Sequence, residues 1–180
     1  MPVSSKCVDM AARSPDPTQR GRHRIGTRGL DVFRGLIRGI GGGLLATALM
    51  TLYRFPLFRA VPPTADFWAT YISGGAPEAS TGAGLVLHFV YGGVAGGLFG
   101  SGFSLLGFRT ERTRRFAAIG LSFGYSLVLS VFGTRVIFKH LLDQELDPDE
   151  ATIFHVGHVI YGLTLGTWLC SREQSGDVYK

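Results

Sequence analysis

A chain of 180 residues with 46% hydrophobic residues, 26 glycines and only 17% charged residues has room for one domain and a composition suited to burial in lipid. Its charge collects in the first 38 residues, in 109–115, in 139–150 and at the C-terminus, leaving four nearly uncharged stretches between. Cys7 and Cys170 stand at opposite ends of the chain, an arrangement that points to neither a disulfide framework nor a zinc ribbon.

Residues 1–30, rich in Arg, Gly, Pro and Ser, carry too little apolar surface to fold alone and are expected to be a disordered basic tail. They contain no apolar run, and the first apolar segment after them is too long for the core of a secretory signal, so the first helix is expected to stay in the mature protein. Four segments then approach the roughly 20 apolar residues that cross a hydrocarbon core of about 30 Å at about 1.5 Å per residue. They run over 36–53, 84–106, 116–138 and 151–170, and none contains Asp or Glu. Backbone groups in lipid must be satisfied within their own segment, so these are helices, and with no polar stripe they leave no face for water. The spans make a domain over 31–170, followed by a short tail, 171–180.

Pro56 marks a stop for the first span. In the loop that follows, Pro62, Pro63 and Thr64 precede Asp66, Phe67, Trp68, Tyr71 and Ile72, whose spacing predicts a short helix lying at the membrane interface. Before the last span, Asp147, Pro148, Asp149 and Glu150 read as an N-cap, a proline at the first helical position and carboxylates in the first turn. Eight Lys and Arg lie in the N-terminal segment through Arg38, and Arg109, Arg112, Arg114 and Arg115 crowd the 107–115 loop, whereas the last loop is acidic. Positive charge stays on the cytoplasmic side, so both termini are expected there, in the cell membrane. The same charge gives the basic tail a second use as a binder of anionic lipid; nucleic acid is not expected.

An internal repeat runs through these spans. From His88 the chain reads His-Phe-Val-Tyr-Gly-Gly-Val-Ala-Gly, and from His158 His-Val-Ile-Tyr-Gly-Leu-Thr-Leu-Gly, so both copies carry His-x-x-Tyr-Gly-x-x-x-Gly. Gly43 stands eleven residues before Arg54, as Gly124 stands eleven before Arg135. The fold class that follows is all-α, a four-helix transmembrane bundle built from two tandem helical hairpins in the same orientation. Small residues four apart let helix backbones approach in lipid, which assigns close packing to Gly92, Gly96 and Gly100, to Gly120 and Gly124, and to Gly162 and Gly166.

Histidine within an apolar span is expensive and needs a reason. The repeat places His88, Tyr91, His158, Tyr161, Arg54 and Arg135 in the outer half of the bundle, with His155 beside them, and predicts one shared polar cluster for a ligand or a proton-linked function. A structural network of hydrogen bonds to carbonyls and water accounts for the same residues. Haem is an alternative through His88 and His158, although helix geometry sets them at unequal depths of roughly 6 and 10 Å. His155 and His158 share a face at i, i+3 spacing, yet no carboxylate lies within a span, so no metal site is expected. A small transporter would need a polar path beyond the outer half. Gly41, Gly43 and Ala46 imitate a dinucleotide fingerprint without a preceding strand. The alternating acids from Asp143 likewise imitate a calcium loop with Pro148 where glycine is needed. No catalytic constellation emerges, and the chain reads as a non-enzyme.

The arginine closing the first span, the run Val61-Pro62-Pro63, and Ile153-Phe154-His155-Val156-Gly157-His158-Val159 in the last span resemble the YagU-like bacterial inner-membrane proteins. That resemblance implies a four-span architecture, a link to acid tolerance and no enzyme activity, in a family whose molecular function is undefined.

Overall fold

The computed structural model describes residues 17–56 and 63–171, with side chains from Arg28 and from Thr64 onward in the two segments. Helix α1 spans Pro17–Arg54, α2 Pro63–Trp68, α3 Thr81–Ser104, α4 Glu111–Phe132 and α5 Pro148–Ser171, and no strand occurs among the described residues. The all-α bundle is therefore as the hydropathy pattern requires. Four helical stretches, 28–54, 77–104, 111–141 and 148–171, are long and apolar enough to cross a membrane. Their boundaries follow local chemistry. Thr110 caps α4 by accepting the Thr113 N–H at 3.1 Å, and Pro148 opens α5 with the Ala151 N–H on the Asp147 carbonyl at 2.8 Å.

Helix α1 starts earlier than expected. Residues 17–30, read from composition as disordered, form its first turns, because extending an existing helix adds a hydrogen bond per residue without a new nucleation cost. Residues 1–16 and 172–180 lie outside the described residues, as do Val61 and Pro62.

Side chains are sorted by size rather than by polarity. Val86, Val90, Val94 and Leu98 form one outward stripe of α3, each more than half exposed, while Gly92, Gly96 and Gly100 on the opposite stripe are buried. Such an apolar exterior is the arrangement lipid rewards, since helix association there rests on close packing instead of water exclusion. The closest packing joins α1 to α3 and α4 to α5, as two hairpins. A broad α1–α5 face holds the hairpins together, through Ala46, Met50, Tyr161, Leu165 and Leu169. By contrast α3 and α4 meet at few points, chiefly Tyr125, whose hydroxyl donates to the Ala95 carbonyl at 3.0 Å. The hairpins thus meet unequally, and two equivalent contacts about one axis do not form.

Glycine packing holds in α3 and α5 but not in α4. A Cβ on Gly96 would fall on the Gly39 carbonyl oxygen and the Gly43 backbone, and one on Gly162 or Gly166 would meet the serines of α4. Around Gly120 and Gly124 it would meet nothing within 4 Å, and both residues face outward. Those two glycines, expected in an interface, lie on the lipid-facing side. Two positions further on, about 200° around the helix, Ser122, Ser126 and Ser130 are fully buried in their place. The small serines pack against Gly162 and Gly166, with Ser122 donating to the Gly162 carbonyl and Ser130 paired with His155, whereas a helical glycine keeps its backbone bonds wherever it points.

Two π-helical segments shape the end opposite the termini. Gly133–Leu141 continues α4 as a π-helix, and Ala69–Ser73 continues α2 to Gly74, whose φ of 67° and N–H on the Ala69 carbonyl close the turn. The short helix expected in the first loop is present, yet it turns inward. Ala65 is fully buried against Gly84, Ala69 is buried too, and the Tyr71 hydroxyl donates to the Leu141 carbonyl.

Candidate functional site

Between α2 and the ends of the long helices lies a cavity of about 270 Å³ to which every helix contributes. Arg54 closes α1, Thr64 and Phe67 come from α2, His88 and Tyr91 from the first turns of α3, Leu129, Gly133 and Phe138 from α4 and its π-helical extension, and Phe154 and His158 from α5. The π-helix follows from a packing demand. Phe154 sits where a Cβ on Gly133 would be, with its ring edge-on to Phe138 at 5.4 Å between centroids. Wider turns there let the α4 backbone pass the ring while keeping its own hydrogen bonds, the common setting of π segments near functional positions.

His158 is fixed in orientation. Its Nδ1 lies 3.0 Å from the Phe154 carbonyl, an acceptor only, so Nδ1 carries a hydrogen and the ring turns Nε2 the other way. The Phe154 ring packs on the imidazole at 4.5 Å and carries the Arg54 guanidinium 5.7 Å from its centroid. One aromatic ring therefore contacts both a cation and an imidazole. Thr64 adds a buried hydroxyl oxygen with no hydrogen-bond partner among the described residues.

Four of the seven residues expected to cluster, Arg54, His88, Tyr91 and His158, line this cavity. Tyr161 lies one turn deeper, where its hydroxyl donates to the Gly92 carbonyl at 2.7 Å and ties α5 to α3. His155 turns to α4, with Nδ1 hydrogen-bonded to the Ser130 hydroxyl at 2.7 Å. Arg135 is exposed and contributes nothing to the cavity: it stands eleven residues, about three helical turns, beyond the outward-facing Gly124 and shares its face, whereas Gly43, eleven before Arg54, faces α3. The cluster is therefore asymmetric: one arginine and two histidines, not a mirrored set. Phe154, Phe138, Phe67 and Thr64 are not among the residues expected in the site, Thr64 and Phe67 entering only as parts of the short helix. Phe154 carried a signal in being four residues before His158 on the same face, but nothing local distinguished the other three from ordinary apolar loop and span residues.

Chemically, the site offers a guanidinium, two imidazoles and two hydroxyl groups at one side of an apolar chamber. Groups of three or more metal-ligating side chains do not occur among the described residues. Compared with family models, characterised proteins and solved structures, the chain matches none of them.

Proposed function

We propose that this chain is a multi-pass protein of the cell membrane, with both termini cytoplasmic, that binds a small amphiphile with a carboxylate head in the cavity beneath α2. The orientation rests on the arginines of the 107–115 loop and N-terminal segment. A cysteine placed at Arg112 and labelled only from outside the cell would overturn it. One observation carries the ligand reading: Arg54, His88 and His158 converge on a chamber whose remaining walls are almost entirely aromatic and aliphatic. An apolar chamber with a few convergent polar groups is the usual form of a small-molecule site, and a volume of about 270 Å³ suits a short hydrocarbon body. Binding rather than catalysis is the reading, since no carboxylate among the described residues lines the cavity to orient or activate an imidazole. The resemblance to YagU-like proteins, if it extends to acid tolerance, points the same way, because a lipophilic weak acid carries protons across a membrane.

Octanoate is a direct probe. Titrated into nanodiscs holding the full chain, against empty nanodiscs, it is expected to bind about tenfold more weakly to Arg54→Gln, the loss of one charge-assisted hydrogen bond. Arg135→Gln, altered at an exposed position, is expected to bind as the wild type does. Equal affinity for octanol and octanoate, or unchanged octanoate binding by Arg54→Gln, would overturn the assignment.

A further inference from the structure

A second cavity, of about 330 Å³, lies at the opposite end of the bundle and shares no residue with the first. Arg34 and Arg38 on α1 and Arg114 on α4 line it with Asp31, the single carboxylate among the described residues that does so. Its floor is apolar, made by Phe103, Phe108 and other side chains between α3 and α5. Two of the guanidinia are held in place. Arg38 Nη2 donates to the Leu169 carbonyl at 2.9 Å, and the Trp168 indole N–H donates back to the Arg38 carbonyl at 3.1 Å. Arg114 is steadied by Glu111, whose carboxylate is 3.5 Å from its Nε and also 3.1 Å from Arg115 Nε.

Position in the bundle narrows the ligand. Arg38 precedes Arg54 by sixteen residues of one helix, about 24 Å along the axis, so the two cations bracket most of a hydrocarbon core. Arg38 and its neighbours then sit at the depth of lipid headgroups on their side. Leu30, Phe33 and Ile37 on the same stretch of α1 are each more than half exposed, presenting apolar surface directly beside the basic crevice. A guanidinium cluster over an apolar floor, at that depth and next to lipid-facing side chains, fits a phosphate oxyanion better than a carboxylate, because the forked N–H donors match several oxygens on one centre.

We infer that this crevice is a phosphate-binding site formed by Arg34, Arg38 and Arg114, suited to the phosphodiester of an anionic phospholipid in the adjacent leaflet. The same chemistry would accept a free phosphate, and the sources separate experimentally. Dioleoylphosphatidylglycerol, dioleoylphosphatidylcholine and inorganic phosphate are titrated separately onto the delipidated full chain in detergent, and bound lipid is read by native mass spectrometry and melting temperature. Three proteins are compared: wild type, Arg34→Gln/Arg114→Gln, and Arg109→Gln/Arg112→Gln, which removes the same charge from the same end without touching the crevice. Phosphatidylglycerol is expected to bind wild type and the control alike, ahead of phosphatidylcholine, and the crevice variant at least about tenfold more weakly. Stabilisation by inorganic phosphate alone, lost in the crevice variant only, would keep the site and assign it a soluble ligand. Equal weakening in the two double variants, or none in either, would overturn it, the former by reducing the effect to general electrostatic attraction. Should the double variant not fold, Arg34→Gln alone, at an exposed position, carries the same comparison.

Discussion

The two hairpins reach the same close approach by different chemistry. In the first, Gly35, Gly39 and Gly43 of α1 interlock with Gly92, Gly96 and Gly100 of α3, backbone against backbone, so that a Cβ on almost any of them would strike the other helix's main chain. In the second, glycines are on one side only. Gly162 and Gly166 of α5 receive Ser122 and Ser126 of α4, and the Ser122 hydroxyl donates to the Gly162 carbonyl at 2.8 Å. Dispersion alone holds the first seam, while the second adds directional bonds. Tandem copies of one motif can therefore preserve spacing without preserving the interaction that uses it.

The comparison breaks most visibly at Gly96. With backbone atoms of α1 on its open side, Gly96→Leu has nowhere to put a side chain, and it is expected to cost about 3 kcal/mol or more as the helices separate. Gly124→Leu, on the lipid-facing side of α4, is expected to leave the melting temperature in detergent close to that of the wild type. Similar losses from both substitutions would mean that the glycine seam is not what joins α1 to α3.

A smaller effect separates packing from bonding in the second hairpin. Ser122→Ala keeps the small volume against Gly162 and Gly166 but removes the hydrogen bond, so the expected loss is about 0.6 kcal/mol, the typical value of such a bond inside a membrane protein. Thermal unfolding of that variant beside Ser122→Val resolves the two contributions. The bulkier residue is expected to cost distinctly more, since the Ser122 hydroxyl already sits where a Cβ on Gly166 would be. An alanine variant as damaged as the valine one would assign the seam to the hydrogen bond instead.

Much of this architecture was legible because it depends on length and composition. The four spans, the start of α5 at Pro148 and the stop of α1 before Pro56 each follow from one local rule. Helix faces were harder to read. Gly120 and Gly124 have the same spacing as Gly96 and Gly100, and only the serine ladder two residues away reveals which stripe turns inward. The site was half legible for a related reason. His88, Tyr91 and His158 stand in regular α-helices, where spacing alone tells which residues share a face. Arg135 follows the outward face that Gly124 already occupies, and which face of α4 turns inward is a tertiary outcome that the glycine spacing does not encode.

The connections differ as the seams do, and the smallest expected effect tests them. Residues 142–147, joining α4 to α5, are largely exposed, whereas α2 in the first connection is drawn inward with Ala65 and Ala69 buried. Asp66 goes in with it. Burial, and secondarily the nearby Glu78 carboxylate, raise its pKa above the ordinary carboxylate value. Between that ordinary value and the raised one, the folded chain binds more protons than the unfolded chain, so stability falls as pH rises through the window and the cost is complete above it. The charge does complement the first turn of α2, which offsets part of that cost. Asp66→Asn should therefore melt slightly above the wild type at neutral pH, with the difference fading once the solution is acidic enough to protonate an unfolded carboxylate. Asp143→Asn, at an exposed position in the second connection whose left-handed φ of 52° asparagine also tolerates, should leave the melting temperature at neutral pH unchanged. A gain from Asp66→Asn that persists undiminished in acid would trace to packing rather than charge, and the inward pull of α2 would then carry no electrostatic cost.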